Sequence, residues 1–176
     1  MIKYDPHIHQ RCSVRLKGYD YSQGGYYFVT ICTQNRRPLF GEIKNDVMIL
    51  NDAGKMVDRQ WNGLAGRFKN IQLDEYIVMP NHFHGIIIIV ANIRAGTRPA
   101  PTPLPTFGDM VGAFKSITSH EYINGVKQNH WKPFDGKLWQ RNYYEQIIRN
   151  ETSLQRIREY IINNPRQWQH DKLFAP

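Results

Sequence analysis

Two histidines and one tyrosine carry the chemistry that this sequence offers. In YIVMPNHFHGIIII, Tyr76 to Ile89, His82 and His84 stand two residues apart against a run of four isoleucines. Residues two apart on a strand point to the same face, so both imidazoles can aim at a common point. Phe83 and the alternate isoleucines then pack the opposite side. A metal ion requires this convergence, and neutral imidazole is its commonest protein ligand. The plainer reading is a pair of half-buried sheet histidines with backbone partners, and H-x-H alone does not separate the two. A second such pair, His7 and His9 in PHIHQ, lies in a polar stretch with no strand around it and reads as incidental.

The stretch REYIINNP favours the metal. Tyr160 and Asn164 are four apart, one above the other on the same face of a helix. Where that helix edge meets the histidine face, a site forms with three metal ligands: His82, His84 and the carbonyl oxygen of Asn164. Tyr160 is then the nucleophile. A phenol has a pKa of about 10 and is a weak nucleophile at neutral pH. It attacks a phosphodiester when a divalent ion on the scissile phosphate acts as Lewis acid and template. The covalent phosphotyrosine preserves the energy of the broken bond for rejoining, so no ATP is needed. The sequence has no G-x-x-x-x-G-K-[ST] loop, which agrees. Tyr143 and Tyr144 are rivals, but they fall in an apparent strand with no amide or carboxylate at helical spacing. Sheet packing with one ring at the surface suits them better.

The elements that must position these residues follow from periodicity. GGYYFVTICTQNR, Gly24 to Arg36, is rich in β-branched and aromatic residues and reads as a strand. A helix opens at Asn51 or Asp52, with Met56, Val57, Gln60, Trp61 and Leu64 recurring near helical spacing. NIQLDEYIVMP and HFHGIIIIV are predicted to form an antiparallel hairpin about a turn at Pro80 and Asn81. Phe107 to Gly125 is a predicted helix ending at its glycine. KLWQRNYYEQIIR is the fourth strand candidate. The closing helix has Thr152 or Ser153 as cap, a stripe of Leu154, Ile157 and Ile161, and a stop near Pro165. The order is strand, helix, strand, strand, helix, strand, helix. It implies an α+β fold, a ferredoxin-like antiparallel sheet with packed helices.

The formal charge is +8 and the pI near 9.6, which points to polyanionic partners, nucleic acid above all. Lys115, Trp139, Arg141 and Arg149 are candidate DNA contacts, since basic groups hold phosphates and aromatic faces stack unpaired bases. No apolar stretch approaches the ~20 residues of a membrane helix. The N-terminus lacks the order of a signal peptide. Cys12 and Cys32 form no C-x-x-C pattern. The expectation is one soluble cytoplasmic domain over residues 1–176, with a Pro-rich loop at about 93–106.

Together these stretches resemble the HUH single-tyrosine transposases, in the branch associated with repetitive extragenic palindromes. YIVMPNHFHGIIII carries the histidine motif, LWQRNYYEQIIRN the strand after the second helix, and REYIINNP the tyrosine helix. YYFVTICTQNRRPLF resembles that branch's first strand. The resemblance runs from Tyr19 to Trp168 and implies an HUH endonuclease fold. It implies His82, His84 and Asn164 as ligands of Mg2+ or Mn2+, and Tyr160 as nucleophile. It also implies cleavage and rejoining of single-stranded, hairpin-bearing DNA through a 5′-phosphotyrosine, by a monomer or a homodimer. Nothing is carried over for the Pro-rich insert. A reading as replication initiator or relaxase is disfavoured by the short chain and the single helix tyrosine. The reading from another class is a non-catalytic single-stranded nucleic-acid-binding module. It predicts metal-independent binding with a steep salt dependence.

Overall fold

The strand signals place the sheet, and the helical ones decide what covers it. The computed structural model describes residues 18–90 and 104–174. The His7 and His9 pair and most of the Pro-rich stretch lie outside these residues. The first described strand is β1 (Gly25–Cys32), followed by a hairpin of β2 (Gly41–Lys44) and β3 (Val47–Leu50). Helix α1 (Asp52–Asn62) and the single turn α2 (Leu64–Arg67) lead into β4 (Ile71–Val78) and β5 (His82–Ile89). The second half holds α3 (Phe107–Asn129), β6 (Tyr144–Ile148) and α4 (Glu151–Asn163), which runs on as a 3-10 helix over Asn164–His170.

Four strands form one antiparallel sheet in the order β4-β5-β1-β6. The expected α+β architecture is what the chain adopts, with helices on both faces of the sheet. On one face Tyr27, Val29, Ile31, Phe83 and Ile87 are buried with residues of α1 and α3. Trp61 is the hub there, with ring centroids 4.5 Å from Phe83 and 5.4 Å from Phe114. Gly85 makes this possible, because a Cβ on it would lie 2.6 Å from Trp61 Cζ2. On the other face a smaller cluster joins Phe28, Ile86 and Ile148 to Leu154 and Ile161 of α4. Among the described residues no helix is long and apolar enough to cross a membrane.

Several local expectations need correction. The β2–β3 hairpin goes unnoticed in the sequence because each strand has only four residues. Its two-residue turn, Asn45 and Asp46, has both residues at positive φ, the conformation that matches strand twist. Helix α3 runs through Gly125 to Asn129. A side chain at Gly125 would overlap the Trp131 ring, so this glycine serves packing and does not terminate the helix. The cap of α4 is Asn150, whose Oδ1 accepts from Ser153 N at 2.8 Å. Thr152 and Ser153 lie inside the first turn. The fourth strand is shorter than the apolar run suggested, since Leu138 and Trp139 precede it as core residues.

Arg158, two residues before Tyr160, fixes α4 against the sheet. Its Nε and Nη2 donate to the two carboxylate oxygens of Asp74 at 2.9 and 2.6 Å. Asp74 stands where the β4–β5 register shifts, between Leu73 and Tyr76. Such an irregularity re-aims a side chain that regular pairing would hold elsewhere.

Candidate active site

His82 and His84 are adjacent same-face residues of β5, and both are buried, at 0% and 1% exposure. Their ring centroids are 4.5 Å apart. Each ring is anchored through Nδ1. Asn81 donates through Nδ2 to the carbonyls of Arg36 and Leu173, at 3.1 and 2.9 Å. That fixes the amide so that its Oδ1 accepts from His82 Nδ1 at 2.8 Å. His82 Nε2 then carries a lone pair, and it is buried with no partner. His84 Nδ1 is 2.8 Å from Thr30 Oγ1 on β1. When Nδ1 donates there, His84 Nε2 carries a lone pair that can serve as a ligand atom.

Burial also keeps both rings neutral. It pulls the His82 pKa down to about 4, against the opposing charge of Asp171. It holds His84 well below the ordinary histidine value, with His82 adding to the effect. A neutral imidazole is the form that binds metal.

The end of α4 closes over this pair. Tyr160 Oη lies 3.2 Å from His84 Nε2. Tyr160 is 39% exposed, so its side chain lies between the buried histidines and solvent. Burial raises the pKa of this phenol, and Asp171 raises it further. Asn164, the first residue of the 3-10 helix, is fully buried. Its Nδ2 donates to Asp171 Oδ2 at 3.1 Å, while its Oδ1 has no hydrogen-bond partner. Trp168 leans over His82 at 5.8 Å between centroids.

His82, His84 and Asp171 each offer a ligand atom, and these atoms lie within 4.8 Å of one another. Two orphaned buried acceptors, His82 Nε2 and Asn164 Oδ1, add to the case. An unpaired buried lone pair costs free energy unless something meets it. A cation among these donors resolves the cost, so the residues fit a divalent ion. The fold therefore brings His82, His84, Tyr160 and Asn164 together as the spacing suggested. Asp171, Asn81 and Thr30 join them. None of these three stands out in the sequence, although Asn81 directly precedes the histidine motif.

The expected DNA contacts divide. Arg141 and Arg149 are exposed. Trp139 is 3% exposed, and its Nε1 donates to Thr118 Oγ1 at 2.8 Å, so it is a core residue with no face for a base. Lys115 donates to the backbone carbonyls of Gln140 and Arg141 at 2.7 and 2.9 Å. Burial lowers its pKa. Its ammonium ties a loop down through these two bonds.

No family model matches this chain. An uncharacterized protein of Haemophilus influenzae is 42% identical over 184 residues, covering 98% of each chain. This chain belongs to the same family as that protein. Among solved structures, a REP-associated tyrosine transposase bound to a REP hairpin aligns with a TM-score of 0.59. The alignment has 17% identity and covers 93% of this chain and 89% of that one. At that identity the likeness is one of fold, and it is the fold that the motif resemblance implied.

Proposed function

We propose that this chain, with the fold of a tyrosine transposase, is a metal-dependent single-tyrosine transposase or endonuclease. It cleaves and rejoins single-stranded, hairpin-bearing DNA. The observation that carries this reading is the 3.2 Å approach of Tyr160 Oη to His84 Nε2, beside two orphaned buried acceptors. The charge of +8 and the hairpin bound to the transposase of like fold support a DNA substrate. The reading takes residues 1–176 as one HUH domain with a Pro-rich loop at about 93–106.

His82, His84, Asn164 and Asp171 would hold a divalent ion, Mg2+ or Mn2+. The bound ion supplies Lewis-acid polarisation and placement of the scissile phosphate. Asn81 and Thr30 fix the imidazole planes, and Asp171 turns the Asn164 carbonyl oxygen inward. Tyr160 Oη gives up its proton to solvent as it attacks the phosphorus, an O–P bond forms, and the bond from phosphorus to the 3′-oxygen breaks. That oxygen takes up a proton and leaves as a 3′-hydroxyl, while the 5′-phosphate remains on the tyrosine. Attack by another 3′-hydroxyl reverses the step and joins the strands.

The test is covalent trapping. Labelled hairpin-bearing single-stranded DNA is incubated with the chain and Mg2+ or Mn2+, then denatured. A metal-dependent adduct is expected, and Tyr160→Phe should form none. An adduct persisting in Tyr160→Phe sinks the reading. Unchanged DNA affinity in a His82→Ala/His84→Ala variant, with no adduct in any variant, would favour the non-catalytic binding module.

A further inference from the structure

Beside Tyr160 the sheet carries a cleft of about 840 Å³, walled in part by Phe28, Tyr144, Gln146, His170 and Lys172. Strand pairing sets its floor. Thr30 opposes Tyr144 and Phe28 opposes Gln146 across β1 and β6, while Thr30 opposes His84 across β1 and β5. All of these residues therefore share the histidine face. Strand β6 is an edge of the sheet, and its Tyr144 is 53% exposed. The Tyr144 ring meets Phe28 edge-on at 6.4 Å, and Phe28 meets Tyr160 the same way at 6.3 Å. Tyr144 Oη donates to Gln146 Oε1 at 3.4 Å, a long bond that a ligand can replace.

An open aromatic ring, an amide that both donates and accepts, and a rim with Lys172 complement an unpaired nucleotide. A peptide or an aliphatic ligand has less use for that set. The cleft is continuous with the nucleophile, since Tyr160 and His84 also line it. We infer that it holds the unpaired base next to the scissile phosphate, with Tyr144 stacked on the base and Gln146 reading its edge. This rests on the reading of Tyr160 as a nucleophile toward DNA, and it assigns Tyr144 and Gln146 to sequence preference. The stacking is sequence-tolerant, because every base has a π-face, so discrimination falls to the amide.

The test uses photocross-linking, which does not depend on cleavage. The full chain carrying Tyr160→Phe is bound to hairpin DNA with 5-iodouracil at successive positions of the single-stranded flank. Irradiated complexes are mapped by mass spectrometry. One flank position should cross-link to Tyr144. Tyr144→Ala should lose that cross-link and weaken binding about tenfold, the scale of one lost base stack. Tyr144→Phe should keep both. Gln146→Ala should keep the cross-link but flatten the preference among bases at that position. Cross-links mapping elsewhere, with Tyr144→Ala binding as the parent does, overturn the inference. Unchanged base preference in Gln146→Ala overturns the amide's part in it. A Tyr144 cross-link without any Tyr160 adduct in the parent chain would leave the subsite standing and remove the nucleophile. An adduct without that cross-link would do the reverse.

Discussion

The two faces of the central sheet differ in what they leave unsatisfied. Beneath α1 and α3, Trp61, Phe83 and Phe114 interlock, and the buried Trp139 indole donates to Thr118. Trp61 Nε1 is buried there without a partner, but it is a donor and so has nothing to offer a cation. Beneath α4 the apolar cluster is small, and next to it two lone-pair acceptors are buried unmet. One face is built for stability. The other leaves buried acceptors unmet, at some cost in stability. Stability and activity should therefore respond separately to substitutions on the two faces.

The largest separation is expected from Tyr160→Phe. Adduct formation should fall below detection while the thermal midpoint stays within a degree or two of the parent's, since a half-exposed hydroxyl contributes little to folding. A large drop in the midpoint would show that the tyrosine also supports the fold. Trp61→Ala is the converse. It removes the hub of the packed face and should cost about 3–5 kcal/mol in denaturant unfolding, with the site residues untouched. A loss under about 1 kcal/mol would mean that the face collapses around the gap.

His82→Ala sharpens the contrast within the site face. The parent's melting temperature should rise on adding Mn2+, by the linkage of ligand binding to folding, and the variant's should not. Equal shifts in both would place the ion elsewhere. The smallest effect is expected at Asp74→Asn, which weakens the Arg158 clamp on α4 and should cost on the order of 1 kcal/mol at neutral pH. Its pH dependence has a definite sign. Arg158 lowers the Asp74 pKa in the folded state, so the contribution is full above the ordinary aspartate value of about 3.9 and is lost as the pH falls through the lowered one. The variant should approach the parent's stability in acid. A constant difference down to pH 2 would contradict the linkage.

What the sequence discloses is local pattern. The strand alternation of β5 put His82 and His84 on one face, and the helical spacing of Tyr160 and Asn164 put both at one helix edge. The structure keeps both relations, although Asn164 has passed from α4 into the 3-10 helix. What the sequence hides depends on long-range closure. Asp171 reaches the site because the 3-10 helix brings the chain back past His82, and no periodicity encodes that return. Trp139 and Lys115 look like surface groups by type. Each is instead consumed by a contact across 21 or 25 residues, with Thr118 and the Gln140 carbonyl respectively. The β2–β3 hairpin is too short for periodicity, although its Asn45-Asp46 turn carries residues suited to positive φ.

The most direct measurement of the central claim is the mass of the peptide that keeps the DNA. The trapped adduct is digested with protease and nuclease, and the nucleotide-bearing peptide is sequenced by mass spectrometry. A phosphonucleotide on Tyr160, formed only with Mg2+ or Mn2+ present, is the predicted result. The same mass on Tyr143 or Tyr144, or an adduct formed equally well in chelator, would contradict it.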